Sequence, residues 1–235
     1  MIVWLLRVAY PFVLWLDRKF GREPHFAERW RQERKWEYEQ ADRQSWDNEP
    51  DRTGLTEALT LNLTNPDGAH ALLLALAHSG SPRATNALGE HYLFGRGAPK
   101  DAKEAEAWFK RAFELGSRRG LLNYGRALYR RRDFDAATAV FERGAAEDWS
   151  PALFWLARSE VLRLGLRRGK GRVKRLLERA AEQGHVSAGS YLGAMMAFGV
   201  FGLRHILEGI RLTASEDTFH PTPVQPLSAL ERTYH

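Results

Sequence analysis

Eight histidines, His25, His70, His78, His91, His185, His205, His220 and His235, are this chain's best candidates for proton transfer or metal binding. None stands in a His-Glu-x-x-His arrangement, which would set two ligands on one helix face. His70 and His78 lie eight residues apart on one predicted helix, too far for joint ligation, and read as satisfied or solvent-facing. The sequence has no cysteine, which excludes disulfides, thiolate zinc sites and thiol nucleophiles. Glu104 and Glu106 are two apart on a helix, so their carboxylates diverge. Gly95-Arg96-Gly97 and Gly169-Lys170-Gly171 look superficially like phosphate loops. No strand precedes either, and each falls where a tight turn between helices is expected. These residues point to no catalytic centre, cofactor or metal, and the chain reads as non-enzymatic.

Cations offer another chemistry. The balance is 35 Lys+Arg against 29 Asp+Glu, a net charge of +6. Residues 117–184 carry 16 basic and 8 acidic side chains, so the whole surplus lies there. A localised surplus suits an anionic partner or surface. Residues 23–50 interleave Arg29, Arg31, Arg34 and Lys35 with Trp30, Trp36 and Tyr38, but Glu28, Glu33, Glu37 and Glu39 are interleaved too. Phosphate binding needs uncompensated cations, so nucleic acid is not the expected partner. The segment reads as a solvated charged helix or linker whose aromatics pack elsewhere.

The elements that would position these groups fall into four regions. Residues 1–22 open with an apolar run, Met1 to Leu16, followed by Arg18, Lys19 and Arg22. A helix of 16 residues spans about 24 Å, short of the ~30 Å hydrocarbon core. Trp4, Leu5, Tyr10, Phe12 and Trp15 suit interfacial depth, so the run reads as a monotopic attachment or as a cap over the first repeat. Residues 23–52 form the charged aromatic segment. Residues 53–212 are rich in alanine and leucine, and 213–235, with Pro221, Pro223 and Pro226, read as an extended tail.

The third region repeats. Gly80, Gly116, Asp148 and Gly184 are spaced by 36, 32 and 36 residues. Aligned on them, Ala69/Ala105/Ala137/Val173, Leu72/Trp108/Val140/Leu176, Leu73/Phe109/Phe141/Leu177 and Leu76/Ala112/Gly144/Ala180 form columns at i, i+3, i+4 and i+7, the apolar stripe of a helix. A preceding helix repeats through Leu88-Gly89, Tyr124-Gly125, Leu156-Ala157 and Leu192-Gly193. Asp101, Asp133, Asn65-Pro66 and Ser150-Pro151 are expected to cap helix starts. Gly116 and Gly184 are expected to close helices in the left-handed conformation.

Ala87-Leu88-Gly89, Tyr92, Gly95-Arg96-Gly97, Asp101, Ala105, Trp108, Ala112 and Gly116 together resemble the Sel-one-like repeat, a relative of the tetratricopeptide repeat. Ala188, Leu192-Gly193 and Gly199 resemble the opening of another copy, and the likeness covers about residues 65–212. The second copy departs from the pattern, with Arg130-Arg131-Arg132-Asp133 in place of the glycine loop, and Gly209 weakens the last. The resemblance implies an all-α, right-handed α-solenoid of about four antiparallel helix-pair repeats that binds other proteins without catalysis.

In such an array, turns within successive repeats emerge on one edge. Arg96, Lys100, Arg130, Arg131, Arg132, Arg167, Arg168, Lys170 and Arg172 are expected there, as contacts for an anionic membrane surface. The fourth turn is apolar, and Phe198 and Phe201 would either join the membrane contact or cap the core. Tyr92, Tyr124, Tyr129, Trp155 and Tyr191 are the expected concave partner-binding residues. The resulting expectation is a protein-binding scaffold, adaptor or assembly factor at the cytoplasmic face of a bacterial inner membrane. The alternatives are a soluble cytoplasmic regulator or inhibitor of a partner protein and, less favoured, a polyanion binder. Oligomeric state is not legible.

Overall fold

The computed structural model of the chain describes residues 24–47 and 49–214. The described residues contain no strand and form helices α1 (Pro24–Asp47), α2 (Arg52–Thr64), α3 (Pro66–His78), α4 (Pro82–Phe94), α5 (Ala102–Glu114), α6 (Arg118–Arg130), α7 (Phe134–Ala146), α8 (Ser150–Glu182), α9 (Val186–Ala197) and α10 (Ile206–Ala214). A short 3-10 turn, Leu203–His205, precedes α10. The membrane-attachment candidates Trp4, Leu5, Tyr10, Phe12 and Trp15 lie outside the described residues, as does the tail beyond Ala214.

The chain divides into two compact units. Among the described residues, one comprises 38–144 and the other joins 24–37 to 145–214. The first contains the helix pairs α2/α3, α4/α5 and α6/α7. The second contains α8, broken at Gly165 into two helical stretches, and the pair α9/α10. Helix α1 lends its residues up to Glu37 to one unit and those from Tyr38 to the other.

The apolar columns explain why these helices pack. Leu73, Phe109, Phe141 and Leu177 are all fully or almost fully buried, and so are Ala69, Ala105, Ala137 and Val173. The column of Leu72, Trp108, Val140 and Leu176 is graded instead, from 37% exposed at Leu72 to 7% or less at Val140 and Leu176. Gly89 and Gly125 in the preceding helix make room for the deep aromatic. A Cβ at Gly89 would lie 2.5 Å from the Phe109 ring, and one at Gly125 would lie 2.5 Å from Phe141. Small against large across the pair lets the helices approach closely.

Helix ends follow sequence chemistry with one exception. Asp101 accepts from the amides of Lys103 and Glu104, Asn65 from Gly68, and Asp133 from Ala136. Gly80, Gly116 and Gly184 take φ of 92°, 85° and 86°, and Asp148 adopts the same left-handed region at 55°. Ser150 does not cap α8. The helix begins one residue earlier than expected, with Trp149 at the cap and no side-chain bond to the orphan amides. The proline at position 151 still removes one amide that would have needed a partner.

The third repeat corrects the expected turn. Gly169-Lys170-Gly171 is helical, and the break falls at Gly165, with φ 73° and ψ 160°. Only glycine takes that conformation without strain, whereas glycine inside a helix costs only about 1 kcal/mol. Arg167, Arg168, Lys170 and Arg172 therefore sit on the helix after the break rather than in a loop.

Candidate partner-binding surface

The N-terminal ends of first helices in each repeat carry the polar groups. In the unit of α2–α7, Arg83 lies near the start of α4 and Arg119 near the start of α6. Both face Asp42 of α1, which is buried. Arg119 grips both its oxygens (Nη2–Oδ2 and Nε–Oδ1, each 2.6 Å), and Arg83 Nη2 lies 3.3 Å from Oδ2. Burial opposes the charge of Arg119, but Asp42 and Glu90 outweigh it and hold the guanidinium above its ordinary range. The guanidinium also stacks over Tyr38, 4.5 Å from the ring centre. Tyr38 donates to Asn123 (2.9 Å), Asn123 to Asn86 (3.0 Å), and Asn86 to Glu90 (3.0 Å). Beside this network lies a small cavity of about 90 Å³ bordered by Asn62, Arg83, Glu90, His91 and Phe94.

Glu49 completes this end of the unit. Ser81 Oγ donates to its Oε2 at 2.6 Å and the Arg83 amide to its Oε1 at 2.9 Å. A carboxylate at a helix N-terminus meets unsatisfied amides and the positive end of the helix dipole. Burial raises the Glu49 pKa, and these two hydrogen bonds pull against it.

The unit of α8–α10 holds a second cluster. Glu33 and Glu37, one helical turn apart on α1, are both buried. His185, at the N-cap of α9, lies between them, with Nδ1 3.1 Å from Glu33 Oε1 and Nε2 3.3 Å from Glu37 Oε1. Glu33 also accepts from the amide of Ser187 (2.6 Å) and from its hydroxyl. Glu37 accepts from the indole of Trp155 at 3.0 Å. Burial disfavours a charged imidazole, but hydrogen bonds and attraction from Glu33 and Glu37 outweigh it and push the His185 pKa up to about 9. The imidazolium thus donates from both nitrogens. The Ala188 amide, 3.3 Å from Nδ1, is left to the backbone carbonyl of His185 at 3.1 Å. Phe154 and Trp36 enclose the ring, with centroids 4.4 and 5.7 Å away.

These contacts correct the reading of residues 23–50 as a solvated segment. Glu33, Glu37 and Asp42 are seats rather than solvent-facing neutralisers, because each finds a cation or helix-end amide that repays its desolvation. A usable signal stands in the sequence: Ser81, Ser117, Trp149 and His185 repeat at 36, 32 and 36 residues, one column of helix starts.

Of the expected partner-binding residues, Trp155 is buried and engaged by Glu37, so it presents no open surface. Tyr92, Tyr124, Tyr129 and Tyr191 are half-buried, with their rings against His70, Phe113, Phe134 and Phe154 respectively. His70 is not solitary either. Its Nδ1 lies 3.3 Å from that of His91, which is buried. Burial, with the neighbouring charges of His70 and Arg96, lowers the His91 pKa to about 4.

Two of the expected edge cations are engaged in ion pairs. Arg131 pairs with Glu106 at 2.7 Å and stands 3.6 Å from Asp133, and Arg172 reaches the buried Glu160 at 2.9 Å. Arg96, Lys100, Arg130, Arg132, Arg168 and Lys170 are exposed, and the Arg167 side chain lies outside the description. The Arg131–Glu106 bridge ties the turn after α6 to the first half of α5. In the apolar fourth turn Val200 is buried, Phe201 half-buried and Phe198 37% exposed. Among the described residues no group of three or more His, Asp or Glu is placed to hold a metal, and no helix is long and apolar enough to cross a membrane.

The Sel1 repeat family model matches residues 82–117 and 151–185, which are the α4/α5 pair and most of α8. These two segments match the Sel1 repeat. Its fold is that of solved Sel1-repeat structures. A Sel1 repeat protein from Oxalobacter formigenes superposes with a TM-score of 0.58 at 20% identity, over 69% of this chain and 72% of that one. The protective antigen c5321 of uropathogenic Escherichia coli, described as displaying an SLR fold, superposes at 0.55 and 21% identity, over 64% of this chain and 34% of its own. Among curated proteins none matches in sequence. The α6/α7 pair lies outside the Sel1 match, and it is the copy whose turn is shortened to Arg131-Arg132-Asp133. Sel1 repeat proteins generally serve as non-catalytic scaffolds that bind protein partners.

Proposed function

We propose that this Sel1-repeat chain is a scaffold or assembly factor that holds a protein partner at a membrane surface, with residues 1–16 as the attachment. The observation that carries the reading is the fastening of α1. This helix begins eight residues after the apolar run and is tied to the α8–α10 unit by buried Glu33 and Glu37. An apolar leader continuous in sequence with a helix seated among the repeats would tether those repeats to the surface it enters. Exposed Arg96, Lys100, Arg132, Arg168 and Lys170 supply attraction to anionic lipid, each about 1 kcal/mol near such a surface. Arg18, Lys19 and Arg22 favour the cytoplasmic side.

Two measurements test this. In flotation with vesicles containing phosphatidylglycerol, the full chain should rise with lipid and a chain lacking residues 2–22 should not. Equal behaviour of the two removes the attachment role. Affinity capture of the full chain from native membranes should bring a stoichiometric protein, and its absence removes the scaffold role.

A further inference from the structure

Inside the α2–α7 unit, the cavity of about 90 Å³ is bordered by α2, α4 and the start of α6. Two of the side chains lining it keep a buried polar atom with no hydrogen-bond partner among the described residues. One is His91, 2% exposed, whose Nε2 is unpaired; the other is Asn62, at its Oδ1. Buried polar atoms are normally paired, so two orphans beside one space call for a guest. A single water needs roughly 10–15 Å³, so this space takes a group of several heavy atoms.

The orphans define the chemistry of that guest. His91 Nδ1 faces His70 Nδ1 at 3.3 Å, and one of the two carries the hydrogen that the other receives. Burial and its neighbours lower the His91 pKa to about 4, so the ring is neutral at pH 7. Its Nε2 is then a donor when His70 gives the shared hydrogen and an acceptor when His91 gives it. Asn62 Oδ1 accepts. A primary carboxamide answers both atoms in either state, because one carbon bears a carbonyl and an NH2. A carboxylate has nothing to donate, and an ammonium has nothing to accept with. A hydroxyl does both, but it is no larger than the water it replaces.

Charge favours the same guest. Arg83 and Arg119 line the cavity, yet acids already hold them: Arg83–Asp42 is 3.3 Å, Arg119–Asp42 2.6 Å and Arg119–Glu90 3.9 Å. Arg96 is exposed and lies over the Phe94 ring at 5.6 Å, so its charge is solvated. A carboxylate would meet Glu90, and an ammonium would meet the guanidinium groups, each after losing its hydration. A neutral polar group escapes both costs. Exposed Phe94 borders the opening and offers the apolar rim that a bound chain covers around an inserted side chain.

We propose that this cavity receives the side-chain carboxamide of an asparagine or glutamine of the protein partner, bonded to Asn62 and His91. The proposal rests on the scaffold reading and names a contact by which the repeats recognise that partner.

The probe is propionamide, added to the full chain labelled with nitrogen-15, with propionate and n-propanol as controls of matched size. Resonances of the His91 ring and the Asn62 side-chain amide should shift saturably, with the millimolar affinity expected of so small a ligand. Both controls should bind at least roughly ten-fold more weakly. Asn62→Leu should abolish the propionamide response with helical signal intact, and should cut the partner captured from native membranes at least roughly ten-fold. The proposal is overturned by the absence of a saturable shift up to about 100 mM, which leaves a water-filled cavity, by equal binding of either control, or by undiminished capture. If Asn62→Leu does not fold, the three probes on the wild-type chain decide. If native membranes yield a partner while propionamide does not bind, the scaffold reading stands and only this assignment falls.

Discussion

Glu37 and His185 are 148 residues apart in the chain, and their Oε1 and Nε2 atoms lie 3.3 Å apart inside the α8–α10 unit. Glu33 holds the other ring nitrogen, so one imidazolium locks two turns of α1 onto the start of α9. The lock has a defined pH window. A histidine whose folded pKa is raised to about 9 from the ordinary 6.5 contributes fully below 6.5, and the contribution is lost as pH rises through 9. Unfolding monitored by tryptophan fluorescence should therefore show this unit weakening between pH 6.5 and 9, by on the order of 3 kcal/mol. His185→Gln should be less stable at pH 6.5 and should lose that slope; a wild-type chain with flat stability over the window contradicts the lock.

His91 works in the opposite sense and in the other unit. Its pKa is lowered to about 4, so the folded state binds fewer protons than the unfolded one. Stability is complete above 6.5 and falls as pH drops toward 4. Protection factors at α3 and α4, corrected for the intrinsic slowing of amide exchange in acid, should fall over that range in the wild-type chain, and His91→Gln should remove most of the fall. Protection that is independent of pH there would show that His70 and His91 accommodate the proton.

Asp42 is the shared anion of Arg83 and Arg119. Asp42→Ala takes a shared carboxylate from both guanidinium groups in a mostly buried site and should cost roughly 3 kcal/mol by chemical denaturation. Adding Arg119→Met should recover part of that loss, because an apolar side chain needs no counter-charge. Additive losses would mean that Arg119 is held mainly by Tyr38 and Glu90.

Glycine substitutions at two kinds of site should move in opposite directions. Gly125→Ala drives a methyl to 2.5 Å from the buried Phe141 ring and should cost about 1–3 kcal/mol, and Gly89→Ala should do the same against Phe109. Gly171→Ala meets only the head of Arg175 at 3.8 Å, within a helix, and should stabilise by up to about 1 kcal/mol. Thermal melts of the three variants check the sign at each position.

How far the sequence could be read depended on the range of the interaction involved. The 36, 32 and 36 spacing, the i, i+3, i+4 and i+7 stripe, and the caps at Asn65, Asp101 and Asp133 are local. They depend on helix geometry and on hydrogen bonds spanning two or three residues, so periodicity alone predicts the all-α helix-pair architecture and the deep column of Leu73, Phe109, Phe141 and Leu177. The break at Gly165 rather than at Gly169-Lys170-Gly171 was not decidable locally, because all three glycines permit a turn and the packing of both stretches selects one. Least legible was α1. Alternating acids and bases look solvated in one dimension, and only the tertiary fold brings Arg83, Arg119, His185 and Ser187 to those acids. A carboxylate's burial is set by the partner that repays its lost hydration, and here the partners lie 41 to 154 residues away.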